Sequence, residues 1–574
     1  MTPAWLDPGE LRVGLGCMRL STDERRAEAR ALETIVAAAD AGLTAFDTAR
    51  AYGDNEHLLA LALRQAGAAG RARIVTKGGM ARTGGGWVPD GRAKAILADC
   101  DASLAALDGL EIDLYLLHAP DPRTPWSTSL RALRRIGDEG LARRVGICNV
   151  NRHQLDEALE LAPIAAVQVA LSPFDDRAMR GGVVERCAEA GVAVIAHSPL
   201  GGPKRAGRLA RNEALAGLAG ELGATPAEVA LAWVLGLSTA LAAIPGARRP
   251  ETVRSAASAA SLRLTPEQHA AAGRAFGRGQ PARRTRTAAA ADVALVMGIP
   301  GAGKSRVAAE HAAAGYLRLN RDERGGSLGD VVRALDEALA AGERRIVLDN
   351  TYLTRAARRD VVDTAGAHGA TVRCIWLDTP LAQAQVNLVE RLLDRVGSLP
   401  EPDALRELAR REPGLLAPTS QMRTLRELEP PGHDEGFSQI ERREFARAPG
   451  AGRTQAGVFV AAAAIGIDGW LDAVSAAPAD APCLVFDWHP GGDRAALERA
   501  VARLAGVVAG PVEAALCPHA AGPPRCWCRP PLPGLPITFA RDHGVDPARS
   551  LLVGSGPAHR TLAAALGARY VQPG

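Results

Sequence analysis

The sequence predicts an α/β multidomain chain: a (β/α)8 TIM barrel, then a P-loop NTPase α/β domain, then a smaller Rossmann-like domain. Three observations predict it. Short β-rich runs alternate with Ala/Leu/Glu helical stretches from about residue 11 to 275, the rhythm of a parallel sheet wrapped by helices. A glycine-rich G-x-x-x-x-G-K-S segment at 298–305 stands between an apolar strand and a helical stretch, as a phosphate-binding loop requires. A third segment to residue 574 carries shorter strands, a Pro/Cys-rich loop at 517–536 and a closing helix–strand pair.

At 574 residues the chain exceeds a single domain several-fold. Hydrophobic residues at 47% and charged residues at 23% leave ample material for cores. Sixty-eight basic against sixty-four acidic residues give a net +4, which excludes a histone-like binder but leaves room for local basic patches. The start of the chain has no basic region followed by an apolar one, and no apolar run reaches the roughly 18 residues of a spanning helix. Nine cysteines, mostly scattered, read as a reduced cytoplasmic protein with one metal site and not as a disulfide framework. The boundaries expected are a barrel over 1–276, a linker over 277–291 rich in arginine (Arg278, Arg283, Arg284, Arg286), a P-loop domain over 292–447 and a third domain over 448–574. The linker arginines read as a solvated tether or as auxiliary phosphate contacts.

In the first block the strand runs are LTAFD (43–47), RIVTK (73–77), DLYLLH (113–118), RRVGICN (143–149), AAVQV (165–169), VAVIAHS (192–198) and LAAIPG (241–246). Asp47, Lys77 and His118 each fall at the end of such a run, and Tyr52 lies just beyond the first. Barrel chemistry sits at the C-terminal ends of strands. Singly, Asp47 also reads as a helix cap, Lys77 as a solvated strand end and His118 as a core histidine; together they favour a site. The segments VGLGCMRLS (13–21), FDTARAYGDNE (46–56), TKGG (76–79), LLHAPD (116–121), GICN (146–149), AHSPLG (196–201) and IPGARRPE (244–251) resemble the aldo-keto reductase family in order and spacing.

That resemblance implies Tyr52 as proton donor to a substrate carbonyl, Lys77 as the cation that eases the proton off, Asp47 as its partner and His118 as the group orienting the carbonyl. It implies NADP(H) as cofactor. Gly16, Cys17 and Met18 would line the nicotinamide, Asn149 and Gln168 would bond its carboxamide, and His197, Ser198 and Leu200 would flank it. Arg248 and Arg249 would pair with a 2′-phosphate, as guanidinium groups suit phosphate oxygens. Three positions depart from the family pattern: Cys148 replaces a serine, His197 replaces the stacking aromatic, and Arg254, Ser255 and Ala256 stand where an adenine-gripping pair is usual.

In the second block Gly298, Gly301 and Gly303 give the loop its backbone cradle, Lys304 reaches the β/γ oxygens of ATP, and Ser305 binds Mg²⁺. LNRDERGG (319–326) places Asp322 after a second strand, and RRIVLDNTYL (344–353) ends a third at Asp349; both also read as caps. TVRCIWLD (371–378) is a fourth strand, followed by a helix with Asn387 and Arg391. With the late PPGHDEGFSQIERREF stretch (430–445), these motifs resemble the kinase domain of polynucleotide 5′-hydroxyl kinases. The resemblance implies Asp322 as general base toward a 5′-OH, Asp349 near the nucleotide and Arg391 as a lid arginine. A kinase acting on a small-molecule hydroxyl, and a non-catalytic nucleic-acid or protein scaffold, remain the alternatives.

In the third block Cys517, His519, Cys526 and Cys528 form C-x-H-x6-C-x-C, a ligand set for tetrahedral Zn²⁺. The loop resembles that of zinc-loop phosphatases of the haloacid dehalogenase superfamily, which act on histidinol phosphate and heptose bisphosphate. The resemblance implies an Asp-x-Asp after the first strand, but Ala461, Ala462, Ala463 and Ala464 stand there; Pro530 and Leu532 replace loop lysines, and Gly554-Ser555 replaces an acidic pair. Without carboxylates there is neither nucleophile nor magnesium seat, so this domain is expected to lack phosphatase activity.

Overall fold

The computed structural model describes residues 5, 9–23, 27–83, 86–121, 123–276, 291–412, 414–445, 452–522 and 524–574. Most of the expected linker at 277–291, with its four arginines, lies outside the described residues, as do 446–451 at the second boundary. Chain contacts divide the molecule into two compact units, Met1–Ala282 and Arg283–Gly574.

The first unit holds an eight-stranded parallel sheet in the order β1 (Leu15–Gly16), β2 (Ala45–Asp47), β3 (Arg73–Gly78), β6 (Ile112–Leu117), β7 (Arg144–Cys148), β8 (Ile164–Ala170), β9 (Ala193–His197), β10 (Leu241–Ile244). The hairpin β4 (Met80–Thr83) and β5 (Gly86–Pro89) is inserted after β3. Bridges Val13–Ala243 and Gly16–Gly246 join the last strand to the first, so the sheet closes. Small and branched side chains fill the interior: Ala45, Val75, Leu114, Leu116, Ala166, Ala193, Ile195 and Ala242 form one buried cluster with Trp5. Helices ring the sheet because their apolar stripes face it; Thr225 and Thr265 each close a capping box and place proline in the first turn of the helices Pro226–Gly236 and Pro266–Ala275.

The second unit contains two five-stranded parallel sheets. One runs β12 (Leu317–Leu319), β13 (Arg345–Asp349), β11 (Asp292–Met297), β14 (Thr371–Asp378), β15 (Gln439–Glu444). The other runs β18 (Val512–Cys517), β17 (Cys483–Trp488), β16 (Val458–Ala461), β19 (Leu551–Val553), β20 (Arg569–Val571). In chain order the latter is 3-2-1-4-5, a doubly wound arrangement. The blocks expected from the sequence as separate share one hydrophobic core: Leu388, Leu392, Leu405 and Leu415 pack with Trp527, Leu532, Ile537 and Leu562. No single helix among the described residues is long and apolar enough to cross a membrane.

The late HDE stretch turns out to be bracing. Arg358, fully buried in the helix Arg355–Ala367, makes two 2.7 Å bonds to Glu435 and donates to the carbonyl of Glu429. Breaking one partner of such a pair strands a buried charge at a cost of about 3–5 kcal/mol. Glu429 and Glu435 thereby fix the approach to β15 against this helix.

Candidate active sites

The C-terminal ends of the barrel strands gather the first site. Asp47 ends β2, Lys77 sits one residue before the end of β3, His118 follows β6, and Asn149 follows β7. Lys77 Nζ donates to Asp47 Oδ1 at 2.6 Å and to the Thr48 carbonyl at 2.8 Å. The same nitrogen lies 5.3 Å from the centroid of the Tyr52 ring. Tyr52, His118 and the hairpin residue Trp87 form an aromatic triangle with centroids 5.8–6.0 Å apart.

Electrostatics follow from this geometry. Burial opposes the Lys77 ammonium, but Asp47, Tyr52 and Cys148 outweigh it and hold the lysine charged. Burial likewise raises the Asp47 carboxyl against the pull of Lys77 and Gln168. The Tyr52 phenol is pushed up to about 12 by burial, with Lys77 pulling the other way. Lys77 thus acts in the expected direction, easing the proton off, while desolvation of the phenolate in this dry pocket is the larger effect. His118 is lowered to about 3, first by burial and then by Lys77 and His197. It is neutral at ordinary pH, and its buried Nδ1 has no hydrogen-bond partner among the described residues.

Asp47, Tyr52, Trp87 and His118 open on a cavity of about 470 Å³, lined also by Gly16, Met18, Gln168, His197, Ser198 and Leu200. Asn149, at φ 56°, donates to the His118 carbonyl at 3.0 Å and bonds His197 Nε2 through Oδ1 at 3.1 Å. Two expected residues behave otherwise. Cys17 does not line the cavity: its N–H bonds the Asp47 carbonyl at 2.8 Å and its side chain turns fully into the core. Gln168 spends its amide N–H on Asp47 Oδ2 at 2.7 Å, leaving only its other groups for a ligand. Arg248 and Arg249 sit in an adjoining depression of about 240 Å³ together with Arg19 and Arg30. Arg248 already pairs with Asp23 at 2.9 Å. Sequence reasoning missed Trp87, Arg19 and Arg30; a hairpin tip and two helix faces carry no spacing signal that would mark them.

The second site forms around β11. The loop after it enters the helix Lys304–Ala313 through glycines that side chains would obstruct: at Gly301, φ is 86° and a Cβ would meet the Ala384 carbonyl oxygen at 2.3 Å. Three side chains pin the loop from outside. Asn387 donates to the Gly301 carbonyl at 2.7 Å, Gln421 to Pro300 at 3.0 Å and Thr379 to Ala302 at 3.1 Å. Lys304 folds back on the carbonyls of Gly298 and Ile299, at 3.0 Å each. Its ammonium is lowered to about 8 by burial and by Arg391, against the pull of Asp349 and Asp322. Ser305 follows in the first helical turn.

The NRD and DNT motifs are one construction. Asn320 caps the helix Arg321–Arg324 by accepting from the N–H of Asp322 at 2.7 Å, while its amide donates to the Asp349 carbonyl at 2.6 Å and to Oδ2 at 3.1 Å. Asn350 Oδ1 accepts from the Arg321 N–H at 3.0 Å. Arg318 pairs with Asp349, so that carboxylate is shared between strands β12 and β13. Asp322 is left half-exposed, beside Arg321 at 3.2 Å. Arg391 reaches the Gly414 carbonyl at 3.4 Å. Gln421 carried no sequence signal because its partner is a backbone carbonyl 121 residues away.

The third set is compact. The ligand atoms of Cys517, His519, Cys526 and Cys528 all lie within 4.8 Å of one another. His519 Nδ1 approaches Cys528 Sγ at 3.2 Å and Cys517 Sγ at 3.5 Å, while its Nε2 bonds Glu401 Oε2 at 2.8 Å. Three sulfurs and a nitrogen on one centre fit a metal that takes about 2.3 Å bonds to sulfur in a tetrahedron. At the end of β16, Ala461 gives way to the 3-10 turn Ala462–Ala464.

A closed barrel whose strand ends assemble lysine, tyrosine, aspartate and neutral histidine, joined to a P-loop fold, defines an oxidoreductase barrel fused to a nucleotide-binding domain. Comparison with known proteins bears on both halves. The model of the aldo/keto reductase family matches residues 12–274, and that of an AAA domain matches residues 293–413. A probable aldo-keto reductase 1 of Glycine max is 30% identical over 307 residues, spanning 46% of this chain and 87% of that protein. Aldo-keto reductase str7 of Strobilurus tenacellus is 29% identical over 280 residues, spanning 44% of this chain and 80% of that protein. A crystal structure of an aldo-keto reductase from Klebsiella pneumoniae in complex with NADPH is 26% identical, covers 47% of this chain and 92% of that one, and gives a TM-score of 0.40. The chain belongs to the aldo/keto reductase family through its N-terminal half.

Proposed function

We propose that the chain is bifunctional: an NADPH-dependent carbonyl reductase in the barrel and an ATP-dependent kinase of 5′-hydroxyl ends in the P-loop domain. The observation that carries the first reading is the convergence of Asp47, Tyr52 and His118 on one cavity of about 470 Å³, with Lys77 buried behind Asp47 and the Tyr52 ring. NADPH, when bound, supplies the hydride. The chain's own groups do the rest. Neutral His118 and the Tyr52 hydroxyl face the substrate oxygen as donors, and Tyr52 gives its proton as negative charge develops there. Charged Lys77, anchored on Asp47, then stabilises the phenolate left behind. Asn149 and His197, tied to each other, present a polar edge for the carboxamide, and the arginine depression suits a 2′-phosphate. Arg248 is shared there with Asp23, so Arg249 is the better placed of the two for the phosphate.

In the kinase, the cradle around Gly298–Ser305 would hold the phosphates, with Ser305 toward Mg²⁺. Asp322, half-exposed beside the paired Asp349, would accept the proton of the attacking hydroxyl. The NRD–DNT construction favours a nucleic-acid end over a small-molecule alcohol. Domain limits at 276/292 and 447/448 follow from the same reading. Both activities are tested directly: aldehyde-dependent loss of NADPH absorbance, and transfer of labelled γ-phosphate from ATP to 5′-OH DNA, 5′-OH RNA and small alcohols. Absence of turnover with every aldehyde, or transfer to the alcohols alone, would reject the corresponding half.

The third domain, in this reading, is a degenerate phosphatase shell of the haloacid dehalogenase type, held by structural Zn²⁺ on Cys517, His519, Cys526 and Cys528. Glu401 fits as the carboxylate that orients the histidine ligand. Elemental analysis is expected to return one zinc per chain. Cys517→Ser or a strong chelator is expected to lower the melting temperature of the second unit by about 5 °C or more, since metal binding energy is folding energy. An unchanged melting curve in metal-free protein would remove the zinc assignment.

A further inference from the structure

A cavity of about 330 Å³ adjoins the P-loop and is walled on its far side by the phosphatase-like domain. It begins at Ala302, Gly303 and Arg306, where the phosphate loop turns into its helix. A triphosphate cradled by this loop must place its nucleoside in space continuous with the loop, and this cavity is that space among the described residues. Its volume lies within the range that holds small ligands, about 300–1,000 Å³. Val307, Leu377 and Val386 give it an apolar wall on the kinase side, and Phe445 adds an aromatic face. The opposite wall is Ile537, Pro547 and Leu566, all from the third domain.

One polar group there wants a partner. Arg453, also of the third domain, lines the cavity and bonds Glu390 Oε1 through Nη2 at 2.6 Å. Its Nη1 is buried with no hydrogen-bond partner among the described residues. A buried unpaired donor is costly to keep, and a ring nitrogen or carbonyl of a nucleobase is the acceptor that would relieve it. Asp546 and Glu390 line the same space as acceptors for an exocyclic amine. We propose that the phosphatase-like domain, emptied of its own carboxylates, supplies one wall of the pocket that holds the nucleoside of the phosphoryl donor, so that the kinase site is incomplete without it. The proposal rests on the P-loop reading above.

The test uses the full chain and two probes, MgATP and magnesium tripolyphosphate, titrated by calorimetry. The wild-type protein binds MgATP more tightly than tripolyphosphate. Ile537→Trp, which fills the cavity, and Arg453→Met, which removes the donor, each weaken MgATP by about tenfold, the size of one base contact, and leave tripolyphosphate unchanged. Because Trp at a core position can disturb folding, the wild-type chain is also photolabelled with 8-azido-ATP, and label appears in peptides around 535–548 or 560–570. Equal affinity for the two probes, unaltered MgATP binding in both variants, or label confined to residues before 446 overturns the proposal while sparing the P-loop reading. A wild-type chain that binds neither probe overturns both.

Discussion

Tyr52→Phe is expected to cut carbonyl reduction by about 10²–10⁴-fold, the range for removing a positioned proton donor, while NADPH affinity stays within about twofold. The hydroxyl that is lost belongs to a ring held next to a fixed ammonium, with Lys77 Nζ 5.3 Å from its centroid. His118 does not replace it, because its imidazole is neutral down to about pH 3 and far too weak an acid to give up its remaining proton. The same values fix the pH profile. Tyr52 carries its proton below about 12 and His118 is uncharged above about 3, so the wild-type reduction rate is flat between about pH 5 and 9 unless cofactor binding imposes its own slope. Phenylalanine keeps the edge-on packing with His118 and Trp87, which separates lost chemistry from lost structure. Residual activity within tenfold of wild type, measured at saturating NADPH, would assign the proton to another group.

What the sequence revealed and what it concealed divide on physical lines. Asp47, Lys77 and His118 were legible because a parallel strand places its last residues at one known end of the barrel. The P-loop was legible because glycines at fixed offsets answer a backbone need, as the 2.3 Å clash at Gly301 shows. Cys17 misled because a position beside the cofactor face says nothing about which way a helix-capping residue turns; its N–H is drawn to Asp47 and the thiol follows inward. Arg19 and Arg30 were illegible since they meet Arg248 and Arg249 only after distant helices pack. The shared core of the second and third blocks was hidden for the same reason. Leu388 and Leu405 read as ordinary helix stripes within their own block, and nothing in their spacing names Trp527 or Ile537 as partners. Glu401 likewise stands 118 residues from the histidine it holds.

Lys304→Ala is expected to lower phosphoryl transfer by about 10³-fold or more, because transfer depends almost wholly on electrostatic stabilisation of the moving phosphoryl group. The fold should survive. Lys304 hydrogen-bonds the carbonyls of Gly298 and Ile299, and the loop stays pinned by Asn387, Gln421 and Thr379 without it. Assays of labelled phosphate transfer at fixed MgATP, with a melting curve as control, separate these outcomes. The pH dependence carries the sign. Burial and Arg391 lower this ammonium to about 8 in the free protein, so raising pH through 8 strips its charge and weakens tripolyphosphate binding. A bound polyphosphate stabilises the cation, so binding takes up a proton above pH 8 and little below it, which is the linkage behind that fall. Lys304→Arg keeps its charge across this range, and its affinity should therefore lose the pH step even if the longer, planar group positions phosphate poorly. A wild-type affinity that is level from pH 7 to 9.5 would mean that the lysine is not the cation that meets the phosphates.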